Sequence, residues 1–167
     1  MVALTGGIAR GAVSSVCYDR PCRPVAANPP FMESSPPVRI LLVDDSPTFA
    51  GIARRYLSSH AGIEVVGVAE TAADALDRCH ALRPDLVLTD VELPDGNGLD
   101  LIRTLKEAHN APRIVVMTVH PEDGYAEVAR AARADGFVSK SDLTGHLLPL
   151  LRSLFPQLSR SPASDER

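Results

Sequence analysis

Five positions in this chain carry side chains suited to handling a charged group: the adjacent Asp44 and Asp45, then Asp90, Thr118 and Lys140. Each has a plain explanation on its own. Acids ahead of a helix cap it, an Asp in a turn-rich run forms the turn, and a strand-end Thr or a surface Lys is ordinary. Those explanations lose force when three acids, a hydroxyl and a cation arrive at one place. Two carboxylates about 4 Å apart repel by about 4 kcal/mol at an effective dielectric of 20, so a converging trio needs positive charge beside it. A hard cation such as Mg2+ meets that need with a few carboxylate oxygens, a backbone carbonyl and retained water. No His or Cys accompanies the acids, which disfavours zinc. His60, His80, His109, His120 and His146 show no metal-ligand spacing either. Acids with Mg2+, facing a hydroxyl and a lysine, suit phosphoryl chemistry. One carboxylate attacks phosphorus to form an aspartyl phosphate, while the cation, the lysine and the hydroxyl neutralise charge on its oxygens.

The elements around these residues decide whether they meet. Val38 to Val43 is an almost unbroken apolar run, as in a strand buried on both faces. Ser46-Pro47 then supplies an N-cap and a first-turn proline, and Phe49, Ile52, Ala53, Tyr56 and Leu57 follow at helical spacing. A second strand is predicted over Ile63–Ala69, and Thr71 caps a helix that carries Ala72, Ala75, Leu76 and Cys79. Asp85–Thr89 reads as a third strand, followed by the turn run Leu93-Pro94-Asp95-Gly96-Asn97-Gly98 and a helix with Leu101, Ile102 and Leu105. A fourth strand is expected at Arg113–Met117, and Pro121 opens a helix that turns Tyr125, Val128, Ala129 and Ala132 inward. Gly136-Phe137-Val138 is a short fifth strand, and Asp142 caps a last helix with Leu147, Leu148, Leu151, Leu154 and Phe155 on its apolar face. Pro149 falls inside that helix, so the segment kinks there or its main helix begins there.

Five alternating strand–helix pairs make an α/β domain: a doubly wound, five-stranded parallel sheet with helices on both faces. Ligands of such sheets bind outside the carboxyl ends of the strands. Strand one ends at Asp44-Asp45, strand three at Asp90, strand four at Thr118, and Lys140 follows strand five.

Residues 38–157 resemble the receiver domain of two-component response regulators. The resemblance lies in Val-Asp-Asp-Ser at 43–46, Leu-Thr-Asp-Val-Glu-Leu-Pro-Asp-Gly-Asn-Gly at 88–98, Met-Thr at 117–118 and Phe-Val-Ser-Lys at 137–140. It implies a flavodoxin-like strand order, 2-1-3-4-5. It implies further that Asp90 is the phospho-acceptor and that Asp44, Asp45, Asp90 and the backbone carbonyl of Glu92 bind Mg2+. Thr118 becomes the switch hydroxyl and Lys140 the phosphate-binding lysine. Phe137 stands at the family's rotating-aromatic position, with a plain core role as the alternative. The implied function is a response regulator receiver that takes its phosphoryl group from a histidine kinase or histidine phosphotransfer protein. It would signal to a downstream protein partner through a changed face of the fourth helix, fifth strand and fifth helix, catalysing only its own phosphorylation and dephosphorylation. Two departures touch the chemistry. Val119 follows the switch threonine where a smaller residue is usual, and Ser141 follows the lysine where a proline in a cis bond is common.

Composition narrows the field. With 21 acids against 17 bases the net charge is −4, which argues against direct DNA binding. Aromatics at 4% and the absence of Trp disfavour a base-stacking RNA platform. No stretch of eighteen apolar residues appears, so no membrane span is expected. Cys17, Cys22 and Cys79 are too few and scattered for a disulfide framework, and a cytoplasmic setting is expected. Residues 1–37 hold six of the fourteen prolines and read as a flexible leader, while 158–167 read as a disordered polar tail. With one domain between them, the expectation is a stand-alone receiver without an output domain. The competing readings are a phosphorylation-independent receiver-like adaptor and a Mg2+-dependent, haloacid-dehalogenase-like aspartyl-phosphate phosphatase. The latter keeps its nucleophile at the end of strand one with a second acid two residues later, unlike the adjacent acids here. A flavodoxin-like cofactor protein fits less well, because acids at the phosphate edge repel a nucleotide.

Overall fold

Alternation along buried strands sets the architecture. In the computed structural model, which describes residues 35–119, 127 and 130–159, β1 spans Val38–Val43, β2 Ile63–Ala69 and β3 Leu86–Asp90, with β4 at Arg113–Thr118 and β5 at Gly136–Ser139. All neighbouring pairs are parallel, and the order is β2-β1-β3-β4-β5, the doubly wound layout expected. Ile40, Leu42, Leu88, Val115 and Met117 feed one face of the sheet, and Leu41, Val43, Val87, Ile114 and Val116 the other. Period-two side chains on strands buried from both sides require helices on both faces. Helix α1 (Pro47–Ser58) and the C-terminal helix (Leu143–Leu154) cover the first face through Ala53, Leu57, Leu147 and Leu151. Helices α2 (Ala72–Leu82) and α3 (Gly98–Glu107) cover the second through Ala75, Ile102 and Leu105. No described helix is long and apolar enough to cross a membrane.

Local signals place most element ends. The Ser46 hydroxyl accepts from the Phe49 N–H at 3.4 Å, with Pro47 in the first turn of α1. Thr71 accepts from the Asp74 N–H at 3.1 Å and starts α2. Strand β3 begins one residue later than the apolar pattern suggests, because Asp85 is occupied below the sheet. Its carboxylate accepts the Arg39 N–H at 2.8 Å and its own N–H donates to the Arg39 carbonyl at 2.8 Å. At the other end β3 runs one residue further, so that Asp90 is its last residue.

Several expectations require correction. Ile52 is 58% exposed, and Ala50 takes the inward place. At about 100° per residue, Ile52 lies on the far side of α1 from Ala50, while Phe49 and Tyr56 flank the stripe. The main C-terminal helix does not begin at Pro149: it begins at Leu143 and runs through the proline, which is exposed to solvent. Leu150 packs against the core where Leu148 was expected to. It presses on Gly136 closely enough that a Cβ there would push the leucine methyl groups aside. Asp142 stands at the N-cap position without a capping bond, because its carboxylate is paired with His146 Nδ1 at 2.7 Å. Leu158, placed in the tail by composition, is buried at the end of a short turn of 3-10 helix, Pro156–Ser159, beside Gly62. Residues 1–34 of the expected leader and 160–167 of the expected tail lie outside the described residues, as do Pro121, Tyr125, Val128 and Ala129 of the expected fourth helix. Ala132, from its far end, is buried. Cys79 is half-buried against the α2–α3 side of the core as expected, and burial pushes its thiol up to about 11.

One tie was not anticipated. Asp95, in the loop after β3, reaches across to the first turn of α2, its two carboxylate oxygens accepting the Ala72 and Ala73 N–H groups at 2.8 and 3.0 Å. These bonds hold the Asp95 carboxyl below its ordinary range. A depressed folded-state pKa contributes stability that is present above the unfolded value, about 3.9, and is lost as pH falls through the folded value. Asp95→Ala is therefore expected to lower the urea midpoint at pH 7, and its gap from the parent to close as acid denaturation is followed below about pH 4.

Candidate functional site

The parallel sheet delivers the chemical residues to one edge. Asp44 and Asp45 follow the last residue of β1, Asp90 ends β3, Thr118 ends β4 and Lys140 follows β5. Carboxylate oxygens of Asp44, Asp45 and Asp90 lie within 4.8 Å of one another. Asp44 is 1% exposed and Asp90 is also buried, while Asp45 opens to solvent. The Lys140 Nζ stands between the buried pair, 2.5 Å from Asp90 Oδ2 and 2.5 Å from Asp44 Oδ2. Lysine thus supplies some of the positive charge that the sequence reading assigned to a cation alone.

Backbone groups hold the carboxylates in place. Asp44 Oδ1 accepts the Ser46 N–H at 2.9 Å, so the turn that starts α1 also orients this acid. Asp90 Oδ1 accepts the Glu92 N–H at 3.3 Å. Glu92 and Leu93 pair antiparallel with Gly96 and Asn97 in a two-residue ribbon, leaving the Glu92 side chain outside. The ribbon returns the chain to Gly98, whose N–H donates to the Val91 carbonyl at 2.8 Å. A Cβ at position 98 would run into the carbonyl oxygen of Asp90, so the close return below the acid requires glycine.

Charge and burial oppose each other here. Burial raises the Asp44 carboxyl above its ordinary value, and Lys140 and the Ser46 N–H offset that only in part. Burial alone would lower the Lys140 ammonium, but bonding to Asp44 and Asp90 together with their charge outweighs it and raises it. The approach of Lys140 to Asp44 is an ion contact without hydrogen-bond direction, so Asp44 Oδ2 is buried with no directed donor. Asp44 Oδ2, buried against the Lys140 ammonium and beside two further carboxylates with no nitrogen or sulfur ligand in the cluster, fits a hard oxygen-seeking cation such as Mg2+.

Thr118 is buried and has an interaction partner. Phe137 pairs with Val116 across the β4–β5 register, which puts its side chain on the same sheet face as Thr118. It is half-buried and packs on the α2–α3 side of the core. Val119 is 55% exposed just beyond Thr118. Two contributors escaped the sequence reading. Asp95 tethers the loop, and Phe49, read there as part of an apolar stripe, also sets its ring 4.6 Å from the Lys140 Nζ. Its place one helical turn after the acidic pair was the available signal.

Comparison with known proteins agrees with this geometry. The family model of the response regulator receiver domain matches residues 40–151. The chain is 35% identical over 136 residues to protein-glutamate methylesterase/protein-glutamine glutaminase 5 of Myxococcus xanthus, covering 75% of this chain and 39% of that protein. It is 31% identical over 118 residues to the response regulator GacA of Pseudomonas viridiflava, covering 71% of this chain and 55% of that one. It is also similar to the solved structure of a LuxR-family two-component response regulator from Aurantimonas sp., at 31% identity and a TM-score of 0.67, covering 74% of this chain and 86% of that chain. The chain therefore spans only 39% and 55% of the length of the two curated relatives, and the matches concern the receiver part.

The backbone return at Gly98 yields a direct test. Gly98→Ala forces a methyl group against the Asp90 carbonyl, and such overpacking is expected to cost about 1–3 kcal/mol in urea unfolding.

Proposed function

Because the chain belongs to the response regulator receiver family, we propose that it accepts a phosphoryl group on Asp90 from a phosphohistidine of a kinase or phosphotransfer protein. The observation that carries this reading is the gathering of Asp44, Asp45, Asp90 and Lys140 at the carboxyl edge of the sheet. An Asp90 oxygen forms the new bond to phosphorus while the bond to the donor's imidazole nitrogen breaks, its electron pair leaving with the ring. Mg2+ held by Asp44, Asp45, Asp90 and the backbone carbonyl of Glu92 supplies positive charge against the phosphoryl oxygens when bound. Lys140 binds one of those oxygens through its ammonium, and Thr118 another through its hydroxyl. No turnover of an external substrate is part of this reading: the aspartyl phosphate forms on Asp90 and is later hydrolysed, releasing inorganic phosphate and restoring the carboxylate. Its setting is cytoplasmic, where such donors act.

The output follows from the added charge. An aspartyl phosphate brings additional negative charge and new acceptor oxygens to the ends of β3 and β4, by analogy with phosphorylated hydroxyl side chains. Thr118 moves towards them, and Phe137, on the same face of the sheet, turns into the space released. A downstream protein partner that prefers this rearranged surface around β5 shifts the equilibrium towards it.

Intact-mass measurement after incubation with acetyl phosphate and Mg2+ tests the acceptor. The parent is expected to gain the mass of one phosphoryl group, Asp90→Asn to gain none, and removal of Mg2+ with a chelator to abolish uptake. Labelling of Asp90→Asn at the parent's level would refute the assignment. On this reading the exposed Val119, next to Thr118, restricts approach to Asp90 more than a smaller residue would, so Val119→Ala is expected to speed both gain and loss of label a few-fold, followed by the same mass assay over time.

A further inference from the structure

Lys140 has a third neighbour that the phospho-acceptor reading leaves unused. Its side chain is 9% exposed, and besides the two carboxylate oxygens at 2.5 Å the ammonium faces the Phe49 ring, 4.6 Å from its centroid. A cation within about 6 Å of an aromatic centroid is attracted to the negative ring face, more strongly when water is excluded. The ring is itself held. The Phe49 N–H donates to Ser46 Oγ at 3.4 Å in the first turn of α1, and the side chain packs on the cluster that includes Ala53 and Leu57. An aliphatic residue of similar bulk would fill that place against the core, but it would offer the ammonium no negative face.

We infer that Phe49 is a positioning residue that acts through Lys140, holding its ammonium at the mouth of the acidic cluster. The inference rests on the phospho-acceptor reading for its effect on rate, and on the geometry alone for the placement of the lysine. The ring uses none of the carboxylate oxygens. It therefore keeps its hold on the ammonium when those oxygens are engaged by a cation or a phosphoryl group, and Lys140 meets the incoming group already aimed. Charge placed before the reaction begins needs no reorganisation when charge develops.

The chain has two lysines, Lys106 and Lys140, which makes the test compact. In protein labelled with carbon-13 at the lysine ε position, the two side chains give two signals, assigned with Lys106→Arg. The ring current of Phe49 displaces the Lys140 ε-proton signal upfield. Phe49→Leu is expected to abolish that displacement and to slow uptake from acetyl phosphate with Mg2+ about three- to tenfold. Phe49→Tyr, which keeps the ring, is expected to restore both. A ring that only fills the core beside the lysine would also lose the displacement in Phe49→Leu, but would leave uptake at the parent's rate. An unmoved Lys140 signal in Phe49→Leu overturns the inference, and so does uptake by that variant at the parent's rate. A parent that gains no phosphoryl group overturns the acceptor reading instead, and the lysine spectrum then decides the placement by itself.

Discussion

Carboxylates as buried as those of Asp44 and Asp90 stand side by side only where positive charge stands with them, because a low-dielectric interior magnifies their repulsion and withholds the water that would screen it. Lys140 meets that constraint from the end of β5, the edge strand separated from β3 by β4. The compensation is incomplete: Asp44 Oδ2 keeps no directed donor, and burial still lifts the Asp44 carboxyl. A partly compensated acidic cluster is primed for a further positive charge, and a fully compensated one would not be. The chemistry proposed here depends on that residue of unmet charge.

The sheet is what makes the constraint possible. Parallel strands all point their carboxyl ends the same way, so β1, β3, β4 and β5 bring their terminal residues to one edge although they are far apart in sequence. The strands carrying the acids are covered on both faces, and their backbones are correspondingly well fixed. Backbone N–H groups of Ser46 and Glu92 then orient the acids, the first from the cap of α1 and the second from a two-residue ribbon. The same segments that terminate secondary structure therefore aim the reactive side chains.

Much of this was legible in the sequence because it rests on local rules. Apolar runs marked β1 and β2 to the residue, and Ser46-Pro47 and Thr71 marked the starts of α1 and α2. Strand-end acids and a strand-end lysine were visible as types at spacings. What escaped depends on contacts distant in the chain. Asp95 read as turn chemistry, since nothing local reveals that it bonds to α2. Phe49 read as core, since only the fold brings Lys140 to its ring. Ile52 matched the helical period but not the phase set by Ala50 and Ala53 against the sheet. Pro149 looked like a breaker because its cost is local, while the packing of Leu147 and Leu151 that carries the helix through it is tertiary. Leu158 lay in polar company, and one apolar residue carries no periodicity.

The link from Asp95 to α2 has a dynamic consequence. Segments tied by hydrogen bonds have linked local opening equilibria. Two solvent-exposed bonds from Asp95 couple the ribbon that bears Glu92 to the first turn of α2, so fraying at the start of that helix favours loosening of the Asp90 loop.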